Sequence, residues 1–127
     1  MDRRQILIVD DYPGALYMRG RILSDAGYEV LEASTGEQAL RLAAHYSPAL
    51  ILLDVNLPDI SGTEVCERLK KDPATAAIPV IQITAAWLSE ESRRRGLASG
   101  AAAYLVEPVD DVTLIKSVVL LVESATS

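Results

Sequence analysis

The feature that most constrains the fold is an alternation between short apolar runs and stretches with helical periodicity. The runs are four or five residues long and rich in Ile, Leu and Val. Runs of this length fit strands that are covered on both faces, as in a parallel sheet. Five of them are spread along the chain, at residues 6–9, 29–33, 50–53, 80–83 and 103–106.

The segments between these runs carry helix signals. Thr35 with Gln38, and Ser61 with Glu64, have the spacing of a capping box at a helix N-terminus. Strand and helix alternating five times predict right-handed crossovers and a parallel sheet with helices on both faces. The sequence therefore predicts a doubly wound five-stranded α/β fold, and its 127 residues fit one domain over 1–127.

Composition argues against several classes of protein. Asp and Glu number 18 against 12 Lys and Arg, a net charge of −6, which disfavours nucleic-acid binding by phosphate neutralisation. No apolar run approaches the roughly 18 residues of a membrane span, so no membrane contact is expected. The start of the chain lacks a signal-peptide pattern, and the only cysteine, Cys66, cannot form an internal disulfide. These features predict a cytoplasmic protein.

Polar side chains follow four of the five predicted strands. Asp10 and Asp11 follow the first, Asp54 the third, Thr84 the fourth and Glu107 the fifth. Carboxyl ends of parallel strands share one edge of the sheet, where ligands bind in such folds. Two carboxylates about 4 Å apart repel by roughly 4 kcal/mol at an effective dielectric near 20, so a cation or a proton is needed there. Oxygen ligands without Cys or His point to Mg²⁺, and a carboxylate beside Mg²⁺ is a nucleophile suited to phosphoryl groups.

The sequence closely resembles the receiver domain of two-component response regulators over nearly its whole length. The motifs that carry this resemblance are residues 8–11, 53–62, 83–85, 99–101 and 104–108. The resemblance implies a flavodoxin-like fold with strand order 2-1-3-4-5. It also implies a phosphoacceptor that assists its own phosphorylation and dephosphorylation and is not a turnover enzyme.

The resemblance also assigns roles by position. It makes Asp54 the phosphoacceptor and a metal ligand, Asp11 a direct Mg²⁺ ligand and Asp10 a ligand mostly through water. The backbone carbonyl of Asn56 is a further implied ligand. The implied phosphoryl donor is a sensor histidine kinase or a histidine phosphotransfer domain.

Two further positions are implied to transmit the signal. Thr84 is the switch hydroxyl that moves toward the phosphoryl group, and Tyr104 is the aromatic side chain that turns inward with it. The surface that responds is expected around residues 89–99, whose helical pattern is weak. A nearby tryptophan, Trp87, is a candidate partner contact, although packing is its simpler interpretation.

One position departs from the family pattern. Glu107 stands before Pro108 where the family has a lysine, which changes the local charge from +1 to −1. We expect Mg²⁺ to be held at least as tightly as usual, the phosphorylated state to be less stabilised and the switch to be less tightly coupled. A second possibility is that Glu107 turns into solvent. By resemblance the Glu107–Pro108 bond is a candidate for the cis form.

The last helical segment has two adjacent apolar stripes. We expect the first to pack on the sheet; it contains Val112, Ile115, Val119 and Val122. We expect the second to be exposed; it contains Leu114, Val118 and Leu121. Exposed apolar area marks interfaces, so a homodimer or a contact with a neighbouring domain is predicted through the last two helices and the last strand.

Two alternative functions stay open. The first is a degenerate receiver domain that binds partners without being phosphorylated, which the change to Glu107 supports. The second is a phosphohydrolase with an aspartate nucleophile, although such enzymes need a second carboxylate where this chain has Asn56.

Overall fold

The computed structural model describes residues 4–84 and 90–126. The strands are β1 (Gln5–Val9), β2 (Glu29–Ala33), β3 (Leu50–Asp54), β4 (Val80–Thr84) and β5 (Ala103–Val106). The helices are α1 (Pro13–Asp25), α2 (Gly36–Tyr46), α3 (Gly62–Lys71), α4 (Glu90–Ala98) and α5 (Asp111–Thr126).

The strands form one parallel sheet in the order β2-β1-β3-β4-β5. This confirms the doubly wound fold and the strand order that the resemblance implied. The order reverses between β1 and β3, and their carboxyl ends therefore form the crevice in which such folds bind ligands. In register, Val9 lies opposite Leu53, and Asp54 lies opposite Ile83 of β4.

Each face of the sheet has its own hydrophobic core. Side chains from one face pack with α2 and α3, around Ala39, Ala43, Val65 and Leu69. The opposite face packs with α1 and α5, around Leu23. Because β1, β3 and β4 are buried on both faces, they are continuous apolar runs rather than alternating patterns.

Both predicted capping boxes contribute caps. The Thr35 hydroxyl accepts from the Gln38 N–H at 3.1 Å, and the Ser61 hydroxyl accepts from the Glu64 N–H at 3.1 Å. These caps fix the N-termini of α2 and α3 next to the carboxyl end of the sheet.

Helix α4 covers a polar part of the sheet. Gln82 of β4 is fully buried beneath this helix, and its side-chain Nε2 donates to the Ser99 hydroxyl at 3.2 Å. The side-chain oxygen Oε1 of Gln82 has no hydrogen-bond partner. The Tyr104 ring packs directly against Gly96, where a Cβ atom would collide with it. The helix therefore rests on an aromatic ring and a polar pair rather than on an apolar stripe.

The predicted assignment of the two α5 stripes is wrong. Leu114 and Val118, expected at the surface, are buried in the core. Val122 is buried as expected, whereas Val112 of the same stripe is 61% exposed. The charged positions of α5 explain the difference. Burying the first stripe would have brought Lys116 and Glu123 toward the sheet edge, whereas the observed orientation leaves both exposed. The interface predicted from that second stripe therefore loses its basis.

No helix in the described part of the chain is both long enough and apolar enough to cross a membrane.

Candidate phosphoacceptor and metal site

Three carboxylates meet at the carboxyl end of the sheet. Oxygen atoms of Asp10, Asp11 and Asp54 all lie within 4.8 Å of one another. Asp10 is buried, Asp54 is half-buried and Asp11 is exposed, so the group opens to solvent on one side. The structure therefore brings together the acidic residues that follow the first and third predicted strands.

The loop after β3 holds Asp54 against the end of the sheet. The Val55 N–H donates to the Ile83 carbonyl at 3.0 Å, and the Gly62 N–H donates to the Val55 carbonyl at 2.8 Å. The Asn56 N–H donates to Asp54 Oδ1 at 3.3 Å. A Cβ atom at Gly62 would lie 2.8 Å from the Val55 Cα and nearer still to the Asp54 carbonyl, so this close approach needs glycine.

Burial and the neighbouring charges favour the protonated form of Asp54. Desolvation, followed by the Asp10 carboxylate, raises its pKa to about 6, and the Asn56 N–H and the Arg19 guanidinium oppose that rise. A carboxylate with a raised pKa at the mouth of a crevice is typical of a functional site.

An arginine that sequence reasoning missed also reaches this site. Arg19 of α1 is 11% exposed; its Nη1 lies 2.7 Å from Asp10 Oδ2, and its Nη2 forms an ion pair with Glu107. Glu107 is therefore paired rather than turned into solvent. The sequence feature that could have predicted this position is helical spacing. Arg19 is three residues after Leu16 and four before Leu23, which both pack toward the sheet.

Of the other predicted residues, Thr84 and Glu107 lie at the same end of the sheet, and Tyr104 lies two residues before the end of β5. Thr84 is buried at the end of β4, and its carbonyl accepts from the Glu107 N–H at 2.8 Å. Tyr104 is half-buried against α4, and burial raises the pKa of its hydroxyl. The Glu107–Pro108 bond is cis, as predicted. Trp87 lies outside the described residues.

A second aspartate in the same loop is structural. The carboxylate of Asp59 accepts from the Gly36 N–H at 2.8 Å and from the Glu37 N–H at 2.9 Å, at the start of α2. These bonds lower the pKa of Asp59 to about 2. Asp59 therefore ties the loop to α2 and takes no part in the acidic group.

The donor set of the acidic group fits Mg²⁺. All the candidate ligand atoms are oxygens, the ligands that this hard ion prefers, and one side of the group is open for water and a substrate phosphate. Desolvation and the Asp10 carboxylate both disfavour the charged form of Asp54 and raise its pKa, and a divalent cation would offset both effects.

The sequence matches the response regulator receiver domain family over residues 6–119. Together with the sheet order and the acidic group, this match defines the class of protein: the chain belongs to the response regulator receiver domain family. Members of this family are phosphoacceptor switches of two-component systems, phosphorylated by histidine kinases, rather than turnover enzymes.

Two curated relatives show how such domains are used. The chain is 43% identical over 114 residues to response regulator PleD of Caulobacter vibrioides, covering 90% of this chain and 25% of that protein. It is 38% identical over 114 residues to protein PilH of Pseudomonas aeruginosa, covering 90% of this chain and 93% of that protein. The chain thus spans a quarter of the length of one relative and nearly all of the other.

A solved structure gives the same picture of the fold. The CheY-like response regulator receiver domain protein of Methanospirillum hungatei has a TM-score of 0.91 to this chain at 31% identity, covering 98% of both chains.

Proposed function

We propose that Asp54 is the phosphoacceptor of this receiver domain and that Asp10, Asp11 and Asp54 bind the Mg²⁺ that phosphorylation requires. The observation that carries the proposal is the convergence of three carboxylates within 4.8 Å at the topological switch point. When bound, Mg²⁺ neutralises charge on the phosphoryl oxygens.

The hydrogen bonds of the site support a division of labour among the ligands. Both oxygens of Asp10 already accept bonds, from the Tyr12 N–H at 2.9 Å and from Arg19 at 2.7 Å. Asp10 therefore acts through water, while Asp11 and Asp54 bind the ion directly. The carbonyl of Asn56, in the loop beside Asp54, is the further ligand that we propose.

The proposed donor is a phosphohistidine of a sensor histidine kinase or of a histidine phosphotransfer domain. An oxygen of Asp54 forms a bond to phosphorus as the bond from phosphorus to the histidine nitrogen breaks. Thr84 then donates a hydrogen bond to a phosphoryl oxygen. This role is supported by register, because Ile83, opposite Asp54, immediately precedes Thr84.

We place the output at α4. Tyr104 shares a face of the sheet with Thr84 and contacts Gly96, so movement of Thr84 changes the support of the helix. Helix α4 rests on few apolar contacts, as expected for an element with low local stability.

Phosphorylation can be tested with a small phosphodonor. We expect the protein incubated with Mg²⁺ and acetyl phosphate to gain the mass of one phosphoryl group, measured by intact-protein mass spectrometry. Asp54→Asn abolishes the gain. Asp59→Asn, a change of the same kind in the same loop, leaves it intact, because Asp59 faces α2. Modification of the Asp54→Asn protein, or no modification of the unchanged protein, would contradict the proposal.

The same experiment addresses the two alternatives. A degenerate receiver domain would show no mass gain, and a phosphohydrolase would release phosphate from added monoesters over many turnovers. The ion pair of Glu107 with Arg19 speaks against degeneracy, because it offsets the charge that the glutamate adds.

The domain range and the self-association are also proposals. We assign 1–127 to one receiver domain. We also propose a homodimer or a contact with a neighbouring domain through α4, β5 and α5. The side chains available for this contact differ from the stripe expected from the sequence. The exposed apolar side chains there are Leu97, Val106, Val112 and Leu120.

A further inference from the structure

A buried arginine lies among the acids of the site. The Arg19 side chain is 11% exposed and sits on the sheet-facing side of α1. A guanidinium keeps its charge at all accessible pH values, and burying it is costly unless it is paired. Its two partners, Asp10 and Glu107, follow β1 and β5, which are not neighbours in the sheet. One side chain thus bridges the ends of two separated strands.

The charges at this edge of the sheet are unbalanced without Arg19. Asp10, Asp11, Asp54 and Glu107 carry four negative charges, and among the ion pairs of the described residues Arg19 supplies the only positive charge that reaches them. Its field also acts on Asp54. Phosphorylation of Asp54 adds further negative charge to this group.

Glu107 has a second consequence beyond its charge. Nη1 of the guanidinium is paired with Asp10 and Nη2 with Glu107, so the head group is held by two carboxylates at once. A charge held in this way needs no reorganisation when the phosphoryl group arrives.

We propose that Arg19 is the fixed cation of the phosphoacceptor site and that Glu107 is its anchor, so that Arg19 supplies from α1 the positive charge that the last strand lacks. Arg19 is a positioning residue: it acts by holding Asp10 and by neutralising charge next to Asp54. This inference rests on the proposed function of Asp54.

The inference can be tested by measuring the affinities for Mg²⁺ and for beryllofluoride, which mimics the phosphoryl group. The two affinities are expected to change in opposite directions, which a purely structural role of Arg19 would not produce. In Arg19→Met the unbranched stem still covers apolar surface, but the charge is lost. We expect the affinity for Mg²⁺ to rise, because the site is more negative. We expect the affinity for beryllofluoride at saturating Mg²⁺, followed by ¹⁹F NMR, to fall about tenfold or more. Arg21→Met, on the exposed side of the same helix, changes neither.

A charge exchange tests the pair itself. We expect Glu107→Lys to restore most of the lost beryllofluoride affinity in the Arg19→Met background, because the ammonium then stands where the guanidinium was needed. In the presence of Arg19 the same change places two cations together, and we expect no gain. If Arg19→Met fails to fold, Arg19→Gln removes the charge while keeping a donor toward Asp10.

The outcomes separate this inference from the proposed function. An unchanged protein that forms no beryllofluoride adduct overturns the role of Asp54. An adduct of normal affinity in Arg19→Met overturns only the inference, as does a parallel loss of Mg²⁺ and beryllofluoride affinity. Equal effects of Glu107→Lys in both backgrounds also overturn it.

Discussion

Two aspartates at opposite ends of one loop have opposite environments. Asp54 ends β3, directly before the loop to α3, and burial beside Asp10 raises its pKa to about 6. Asp59 lies farther along, and the N–H groups of Gly36 and Glu37 lower its pKa to about 2. Both residues start from the ordinary value of 3.8.

The difference lies in how deeply each carboxylate is buried and in the number of donors that it faces. Asp59 sits at the N-terminus of α2, where unpaired N–H groups and the helix dipole stabilise negative charge. Asp54 accepts one long backbone bond from Asn56 and faces two other carboxylates. A carboxylate that is well supplied with donors is part of the scaffold. The poorly supplied carboxylate, Asp54, is the one for which we propose metal binding and phosphorylation.

Gly62 holds the shared loop in place, and altering it should have the largest effect. In Gly62→Ala the new Cβ would press on the backbone of Asp54 and Val55, which cannot give way as a flexible side chain could. We expect a loss of about 2 to 3 kcal/mol in the free energy of unfolding, measured by urea denaturation. Because the whole loop shifts, both aspartates are affected.

Gly20 offers a matched control for this substitution. It lies inside α1, where a Cβ would meet only ordinary contacts, the nearest 3.5 Å from a Glu32 oxygen. We expect Gly20→Ala to be neutral or stabilising by up to about 1 kcal/mol, through helix propensity. Equal destabilisation by the two changes would show that the close approach at Gly62 is not what fixes the loop.

Much of the acidic site could be predicted because it depends on topology alone. Parallel strands end at one edge, so residues at or just beyond the ends of β1 and β3, such as Asp11 and Asp54, must lie near each other whatever the helices do. The ion pair of Arg19 could not be predicted in this way. The spacing of Arg19 on α1 predicts that its side chain points toward the sheet. Which carboxylates it pairs with depends on where the helix lies over the sheet and on how far the long side chain extends.

The α5 error has a related cause. The helix carries apolar residues around most of its circumference, so periodicity alone does not select the buried side. The two charged side chains of Lys116 and Glu123 lie on one side, opposite the Leu114 and Val118 row, and they must stay in water. Weighing these two positions would have predicted the correct face, because excluding charge from the core constrains a helix more than one apolar stripe does.

Removing the charge at Asp54 should stabilise the protein when no metal is present. A raised pKa means that the folded state binds the proton more tightly than the unfolded chain. The carboxylate therefore destabilises the fold above about pH 6, and this cost is relieved as the pH falls toward 4. We expect Asp54→Asn to be more stable at pH 7 in EDTA by about 1 to 2 kcal/mol, a range reduced for solvent screening.

The pH dependence and the response to metal make this prediction specific. The advantage of Asp54→Asn should disappear between pH 6 and pH 4, and Mg²⁺ should stabilise the unchanged protein more than the variant. Thermal unfolding measured across this range checks both statements. A variant that is less stable at pH 7, or whose advantage does not change with pH, would show that burial and the neighbouring carboxylates do not disfavour the charged form of Asp54.

The same substitution at Asp59 should have the opposite sign and the smallest effect. A lowered pKa means that the charged form stabilises the fold above pH 3.8, and that this contribution is lost as the pH falls through about 2. Asp59→Asn is therefore expected to have a lower urea midpoint at pH 7, with the gap closing in acid. The effect is limited because the amide keeps one acceptor oxygen for either Gly36 or Glu37. If both variants shifted stability in the same direction at pH 7, the contrast between the two aspartates would be wrong, since it assigns burial and repulsion to Asp54 and satisfied donors to Asp59.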